Sequence, residues 1–422
     1  MKIEIVGPQV PNGAVKVSGA KNSATRLLAA SLLTSEPIRI SNFPTQLVDA
    51  KAKINFIRQL GASINVDEDR EELEIVAHNV SSKNIKDYDL PIRTTYLLAG
   101  GQLVRDQSAH IPYPGGCKIG ARGYDLHIMV WEKLGCIVEE KEHYIEIKGQ
   151  LKGGIIDFPI STVGGTENAL ICASVAVGET EIHNAYITPE VEDLISFLTK
   201  MGANIQAFGN SMIKVQGVGG LLRGTSYNVM LDRIEALTWI VFAAITGGTI
   251  KVEGVPFEQM EIPLLHLKDC GIDLYRNSDT VLMTPDCLMG EHIQPFELAC
   301  GTHPGIISDM QPFYTLLGMK ARGKSRIFDY RYPERILYAH ELNKFCEGSV
   351  IGESGKITTN GIATMKAANV ASTDLRGSMA QIMAAFCAEG ETAVTDIQMA
   401  MRGYNKLAEK MKSLGLEFEI VK

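Results

Sequence analysis

Residues 131–140 read WEKLGCIVEE and residues 197–206 read FLTKMGANIQ. Each places an apolar helix end before a glycine and follows it with a short alternating stretch. The same arrangement recurs as FIRQLGASIN at 56–65, HLKDCGIDLY at 266–275, ELNKFCEGSV at 341–350 and EKMKSLGLEF at 409–418. The glycines fall at 61, 135, 202, 271, 348 and 415, about 70 residues apart, which marks a repeat architecture. Glycine just past a helix suits the left-handed C′ position, so each copy predicts helix, left-handed stop, strand.

A second pattern interleaves with the first. ENALICASVAVGETEIHNA, EALTWIVFAAITGGTIKVEG and SMAQIMAAFCAEGETAVTD each run from an apolar helix through a turn into a strand, and weaker versions occupy NSATRLLAASLLTSEPIRISN, TTYLLAGGQLVRDQSAHIP and FYTLLGMKARGKSRIFD. These helices are apolar nearly all round, the mark of burial. Six such units exceed what a single core holds. The sequence therefore predicts an α/β protein of two domains with three repeats each, buried helices inside and sheets outside. The division expected is residues 22–231 against residues 1–21 together with 232–422. The opening strand, Lys2–Val6, has no local partner and is expected to complete the second domain, so that two chain crossings form a hinge.

The 422 residues are 45% hydrophobic and carry a formal charge of −8, which argues against a phosphate backbone as the main partner. Eight scattered cysteines, without a C-x-x-C pair or a Cys/His cluster, point to reduced thiols and to no metal. MKIEIVGPQVPNG lacks the apolar core of a signal peptide, and Ala236–Ile250 is too short and interrupted to span a membrane, so a cytoplasmic protein is expected.

The starts of the apolar helices carry charge. Asp232, Thr166 and Ser308 read as N-caps. Lys21, Arg93 and Arg376 do not, because a cation there opposes the macrodipole, and such placement suits a bound anion. The loop YPGGCKIGARGYDLH at 113–127 sets Cys117 among glycines with Lys118 and Arg122 beside it, an environment that favours a thiolate.

With VSGAKNSA at its start, PGGCKIGARGYDLH, RTT at 93–95, LDRIEA at 231–236, SDMQ at 308–311, TDLR at 373–376 and RGYNKL at 402–407, the chain resembles the UDP-N-acetylglucosamine enolpyruvyl transferases from end to end. These are similar in fold to EPSP synthase. The resemblance implies two inside-out, barrel-like α/β domains closing over substrate. It also implies transfer of the enolpyruvyl group of phosphoenolpyruvate to the 3-hydroxyl of a uridine nucleotide sugar, with release of phosphate and without a cofactor, as the first committed step of peptidoglycan synthesis. Cys117 is then the acid or a covalent nucleophile, and Asp309 accepts the hydroxyl proton. Lys21, Arg93, Arg122 and Arg402 hold phosphoenolpyruvate, while Asp374 and Arg376 are polar groups of the closed site. Asn22, Gly123, Tyr124, Asp125, Leu126, Thr162, Val163, Gly164 and Arg335 face the nucleotide sugar. No nucleic acid, membrane or protein partner is called for.

The departures from the family fall on the acceptor side as the sequence is read. Ile160 stands where relatives carry a cation, Gly123-Tyr124 where they carry Pro and an aliphatic residue, Leu237 and Trp239 where they carry Gly and Phe, and Glu334 where they carry Asn. Two other readings stay open: a relative acting on another uridine nucleotide such as UMP, and a non-catalytic regulator that binds nucleotide sugar.

Overall fold

The computed structural model describes residues 1–115 and 123–422, so Cys117 and Arg122 lie outside the described residues. All six repeat glycines adopt positive φ, from +71° at Gly415 to +109° at Gly61, and each is followed by a strand. Five of them stop a helix directly; in the remaining copy the helix ends at Asn343 with Lys344 as a right-handed cap, and Gly348 falls in the turn beyond it. The helices are amphipathic and lie over the sheets. Pro189–Lys200, for example, buries Val191, Leu194, Phe197 and Leu198 and leaves its other side polar.

The interleaved helices form the interiors. Every residue from Arg233 to Ile245 is buried in the helix Arg233–Thr246, and so is every residue from Leu375 to Phe386 in Leu375–Cys387 and from Gly165 to Val175 in Val163–Val175. These sequences fit their place because small and branched side chains alternate without a polar stripe, so helices can pack on all sides.

The chain divides into two compact units. One holds residues 1–18 and 231–422, the other residues 19–115 and 123–230. Each has a separate hydrophobic core. Among the described residues each unit carries three sheets. In the first, the opening strand Lys2–Gly7 lies between Gly390–Thr395 and Glu419–Val421, antiparallel to both, with Lys2 opposite Thr395 and Val421. Asn12–Lys16 runs parallel to Thr249–Glu253. In the second, Thr225–Asn228 returns to pair in parallel with Ile38–Ser41. The first crossing therefore falls after Ser18, earlier than the sequence division at Lys21. The reason is local: the Ala20 amide donates to the Met230 carbonyl at 2.7 Å, and Lys21 opens a helix packed within the 19–230 unit.

Two expected caps are corrected. Thr162, not Thr166, caps Val163–Val175, its Oγ1 accepting from the Gly165 amide at 3.3 Å. Thr166 sits one turn in and donates to the Thr162 carbonyl at 2.7 Å. Ser308 opens a 3-10 turn, Ser308–Met310, that precedes the helix Gln311–Lys320, with no side-chain cap. Asp232 does cap its helix, accepting from the Ile234 and Glu235 amides at 2.9 and 3.1 Å. No helix is long and apolar enough to cross a membrane among the described residues.

Candidate active site

Most of the described candidate residues stand at or just before helix starts, in two groups, one in each unit. In the 19–230 unit, Lys21 is the first residue of Lys21–Ala30, and its Nζ lies 3.0 Å from Asp49 Oδ2. The cation that opposes the helix dipole thus has a carboxylate from the neighbouring helix, Val48–Leu60. Asn22 follows it in the same first turn. Arg93 precedes the turn Thr94–Leu98 and its Nη2 donates to the Gly123 carbonyl at 2.9 Å.

Gly123 lies against the Asp125 carboxylate: a Cβ there would come 2.5 Å from Asp125 Oδ1, which this exposed side chain can relieve by turning away. Tyr124 and Asp125 begin the helix Asp125–Lys133, with Leu126 half-buried in its first turn. The Tyr124 ring is tilted 46° against Tyr113, centroids 5.7 Å apart, and Tyr113 Oη donates to the Lys141 carbonyl at 2.6 Å. Burial pushes the Tyr124 hydroxyl above the usual phenol range, so it stays neutral.

Thr162, Val163 and Gly164 form the start of Val163–Val175, whose first turn contains no acidic residue. A Cβ at Gly164 would meet Tyr96 Oη at 2.5 Å. The glycine lets that ring approach, and Tyr96 in turn stacks on His127 with centroids 3.5 Å apart. Burial, with Arg93 adding to it, holds His127 down to about 3, so this imidazole is neutral at physiological pH. Ile160, on the strand leading to this helix, is 63% exposed.

In the other unit a chain of alternating charge links three helix starts. Asp374 caps Leu375–Cys387, accepting from the Arg376 and Gly377 amides at 3.1 Å each, and the same Oδ1 accepts from Arg335 Nη2 at 2.7 Å. Arg335, 3% exposed in its side chain, turns Nη1 to the Ser308 carbonyl and to Asp309 Oδ1, both at 2.8 Å. Asp309 Oδ2 lies 3.8 Å from Arg376 Nε, and Arg376 Nη2 lies 3.6 Å from Asp232 Oδ2. The Arg376 guanidinium also sits 5.0 Å over the Tyr404 ring, whose hydroxyl pairs with Thr238 Oγ1 at 2.9 Å. Against their desolvation, Arg335 is held in the charged form by Asp374 and Asp309, and Arg376 by Tyr404 first and then by Asp232 and Asp309. Within this chain Asp309 differs from its companions: its side chain is 31% exposed, whereas those of Asp374 and Asp232 are each 5% exposed. Arg402 follows the short helix Gln398–Met401, at the start of the segment that supplies Tyr404.

Three of the departures prove to be packing or surface features. Leu237 and Trp239 are fully buried, and the Trp239 indole donates to Glu235 Oε1 at 3.0 Å. Glu334 is exposed and accepts from Ser354 Oγ at 2.7 Å.

Sequence reasoning missed Asp49, Tyr96, His127 and Tyr404. Their partners are distant in sequence, and a lone Asp or Tyr in a helical or loop stretch carries no signal of its own.

Residues 6–411 match the EPSP synthase (3-phosphoshikimate 1-carboxyvinyltransferase) family. The chain belongs to the EPSP synthase family. Within it, full-length likeness groups the chain with the UDP-N-acetylglucosamine 1-carboxyvinyltransferases. The protein of that name from Novosphingobium aromaticivorans is 36% identical, with 100% of this chain and 99% of that one covered. Its namesake from a Caulobacter species is 35% identical over 100% of this chain and 97% of its own. Among solved structures, the enolpyruvyl transferase NikO from Streptomyces tendae has a TM-score of 0.87 at 23% identity, covering 99% of this chain and 98% of its own, a likeness of fold.

The remaining thiols bear on reactivity. Of the seven described cysteines five are buried and two half-buried. Burial pushes Cys136 and Cys387 up to about 11 and Cys270 up to about 12, with Cys172 and Cys300 also raised. Thiols so held are poor nucleophiles. From the cations and glycines around it in the sequence, Cys117 is expected to be the first labelled by iodoacetamide in peptide mapping. Faster labelling of Cys136 or Cys387, with activity retained, would contradict this.

Proposed function

We propose that this chain transfers the enolpyruvyl group of phosphoenolpyruvate to the 3-hydroxyl of UDP-N-acetylglucosamine and releases phosphate. The observation that carries the reading is Asp309: a partly exposed carboxylate fixed between two buried guanidinium groups. A base must be held at a defined place and still be reachable by a hydroxyl, and Asp309 meets both conditions.

The steps divide among the residues. Cys117 protonates the vinyl carbon of phosphoenolpyruvate, which leaves an oxocarbenium-like centre. The sugar hydroxyl attacks it as Asp309 takes the hydroxyl proton. The tetrahedral ketal then loses a proton from the former vinyl carbon and its phosphate, restoring the double bond. Lys21, Arg93, Arg122 and Arg402 supply the positive charge that phosphoenolpyruvate, with about three negative charges near neutrality, requires. Arg335, Asp374 and Arg376 hold the base in place. No step calls for a metal, since fixed cations can stabilise developing charge.

The nucleotide sugar is assigned to the start of Val163–Val175 and to the Tyr124 ring. A helix start without acidic residues in its first turn suits a diphosphate. Without a cation at Ile160 that grip is weaker by roughly 1.5–3 kcal/mol, about tenfold to a hundredfold. Stacking of Tyr124 on uracil offsets about 0.5–1.5 kcal/mol of this. Ile160→Lys is expected to lower the Michaelis constant for UDP-N-acetylglucosamine and Tyr124→Ala to raise it, with that for phosphoenolpyruvate steady. An Ile160→Lys enzyme with an unchanged constant would remove this position from the nucleotide site. By the same reading fosfomycin, an epoxide phosphonate that mimics phosphoenolpyruvate, alkylates Cys117 and stops phosphate release.

A further inference from the structure

Lys53 is a lysine with 0% exposure, on the inner side of the helix Val48–Leu60. Buried lysines are rare unless something specific holds them. Its Nζ donates to the Thr25 carbonyl at 3.0 Å, to the Thr94 carbonyl at 3.1 Å and to Thr94 Oγ1 at 2.7 Å. Thr25 lies one turn into the helix that Lys21 begins, and its Oγ1 donates back to the Lys21 carbonyl at 3.1 Å. Thr94 is the residue after Arg93. One helical turn before Lys53, Asp49 pairs with Lys21 Nζ. Lys53 is thus bonded both to the helix that presents Lys21 and to the turn that presents Arg93.

That turn has further duties. The Gly115 amide donates to the Ile92 carbonyl at 3.1 Å, and Arg93 donates to the Gly123 carbonyl. Residues 115 and 123 are therefore both fastened to positions 92 and 93, next in the chain to Thr94, which Lys53 holds. Burial, and Arg26 after it, push the Lys53 amine well below the ordinary lysine range.

We infer that Lys53 is a positioning residue for phosphoenolpyruvate binding: it locks the Arg93 turn to the Lys21 helix and so sets the spacing of two cations, without touching the substrate. The inference rests on the proposed enolpyruvyl transfer. It differs from a plain stability role in what it moves. A misplaced cation pair weakens the grip on one substrate, whereas a loosened core lowers stability and active fraction without selecting between substrates.

The test is steady-state phosphate release by the full chain, with calorimetric titration of phosphoenolpyruvate, for wild type, Lys53→Met and Thr94→Val. Lys53→Met keeps the stem and removes the three bonds. It is expected to raise the Michaelis and dissociation constants for phosphoenolpyruvate roughly tenfold to a hundredfold, with a clearly smaller rise for UDP-N-acetylglucosamine, passed on through the single Arg93–Gly123 bond. Thr94→Val removes only the Oγ1 acceptor and is expected to give a smaller rise in the same direction; it decides the matter if Lys53→Met does not fold. Unchanged constants for phosphoenolpyruvate in a folded variant overturn the inference, and so does an equal rise for both substrates. A wild-type chain that releases no phosphate sinks the enzymatic reading itself, a result distinct from either.

Discussion

Asp309→Asn is expected to bind both substrates nearly as well as wild type and to turn them over about 10²–10⁴-fold more slowly, the range for loss of a positioned acid or base. The amide oxygen can still accept from Arg335 Nη1, now 2.8 Å from Asp309 Oδ1, so the local geometry has a reason to persist. What is lost is the capacity to take a proton. Steady-state kinetics separate the effects: Michaelis constants stay within about threefold while turnover falls. A variant that turns over within about threefold of wild type would show that another group accepts the hydroxyl proton.

The second large effect is at Arg335. Its guanidinium spans two carboxylates and a carbonyl, and truncation to Met leaves Asp374 buried without its strongest partner. Breaking a buried ion pair by removing one member costs about 3–5 kcal/mol. In a unit of this size that is a fall in melting temperature of roughly 6–20 °C. Turnover falls as well, because Asp309 loses one of the two groups that fix it. Arg335→Lys separates charge from shape. A single ammonium cannot reproduce a fork whose Nη1 and Nη2 serve different carboxylates, so it is expected to recover part of the stability and little of the turnover. Full recovery by lysine would reduce the network to simple charge balance. Thermal melts and phosphate release on the same samples provide the check.

The repeat architecture was legible because it is written in local rules. A glycine at 61, 135, 202, 271 or 415 announces a left-handed helix stop by itself, and each adopts it, whereas Gly348 takes a positive φ in the turn that follows its helix. The apolar interleaved helices announced burial for the same reason, and Asp232 could be read as a cap from the residues next to it. Thr162 could not, since Thr162 and Thr166 are equally plausible caps four residues apart and only the backbone decides between them.

Pairing across the fold was not legible. Lys21 and Arg376 looked like cations placed against a helix dipole for a ligand, yet Asp49 partners one, and Asp232 and Asp309 the other. Nothing in a window around Lys21 shows a carboxylate 28 positions away on another helix. Lys53, in VDAKAKINFIRQL, reads as one of two ordinary surface lysines, and only packing reveals which of them turns inward. Trp239 and Leu237 looked like drift at a substrate site and are core residues, because their neighbours Asp232 and Glu235 gave the stretch a chemical look that the helix interior does not share.

The most direct measurement is phosphate release from phosphoenolpyruvate with UDP-N-acetylglucosamine or UMP as acceptor. Phosphate is expected with UDP-N-acetylglucosamine, one per enolpyruvyl group transferred, and none in the absence of an acceptor. Release with UMP but not with UDP-N-acetylglucosamine, or with neither, would contradict the assignment.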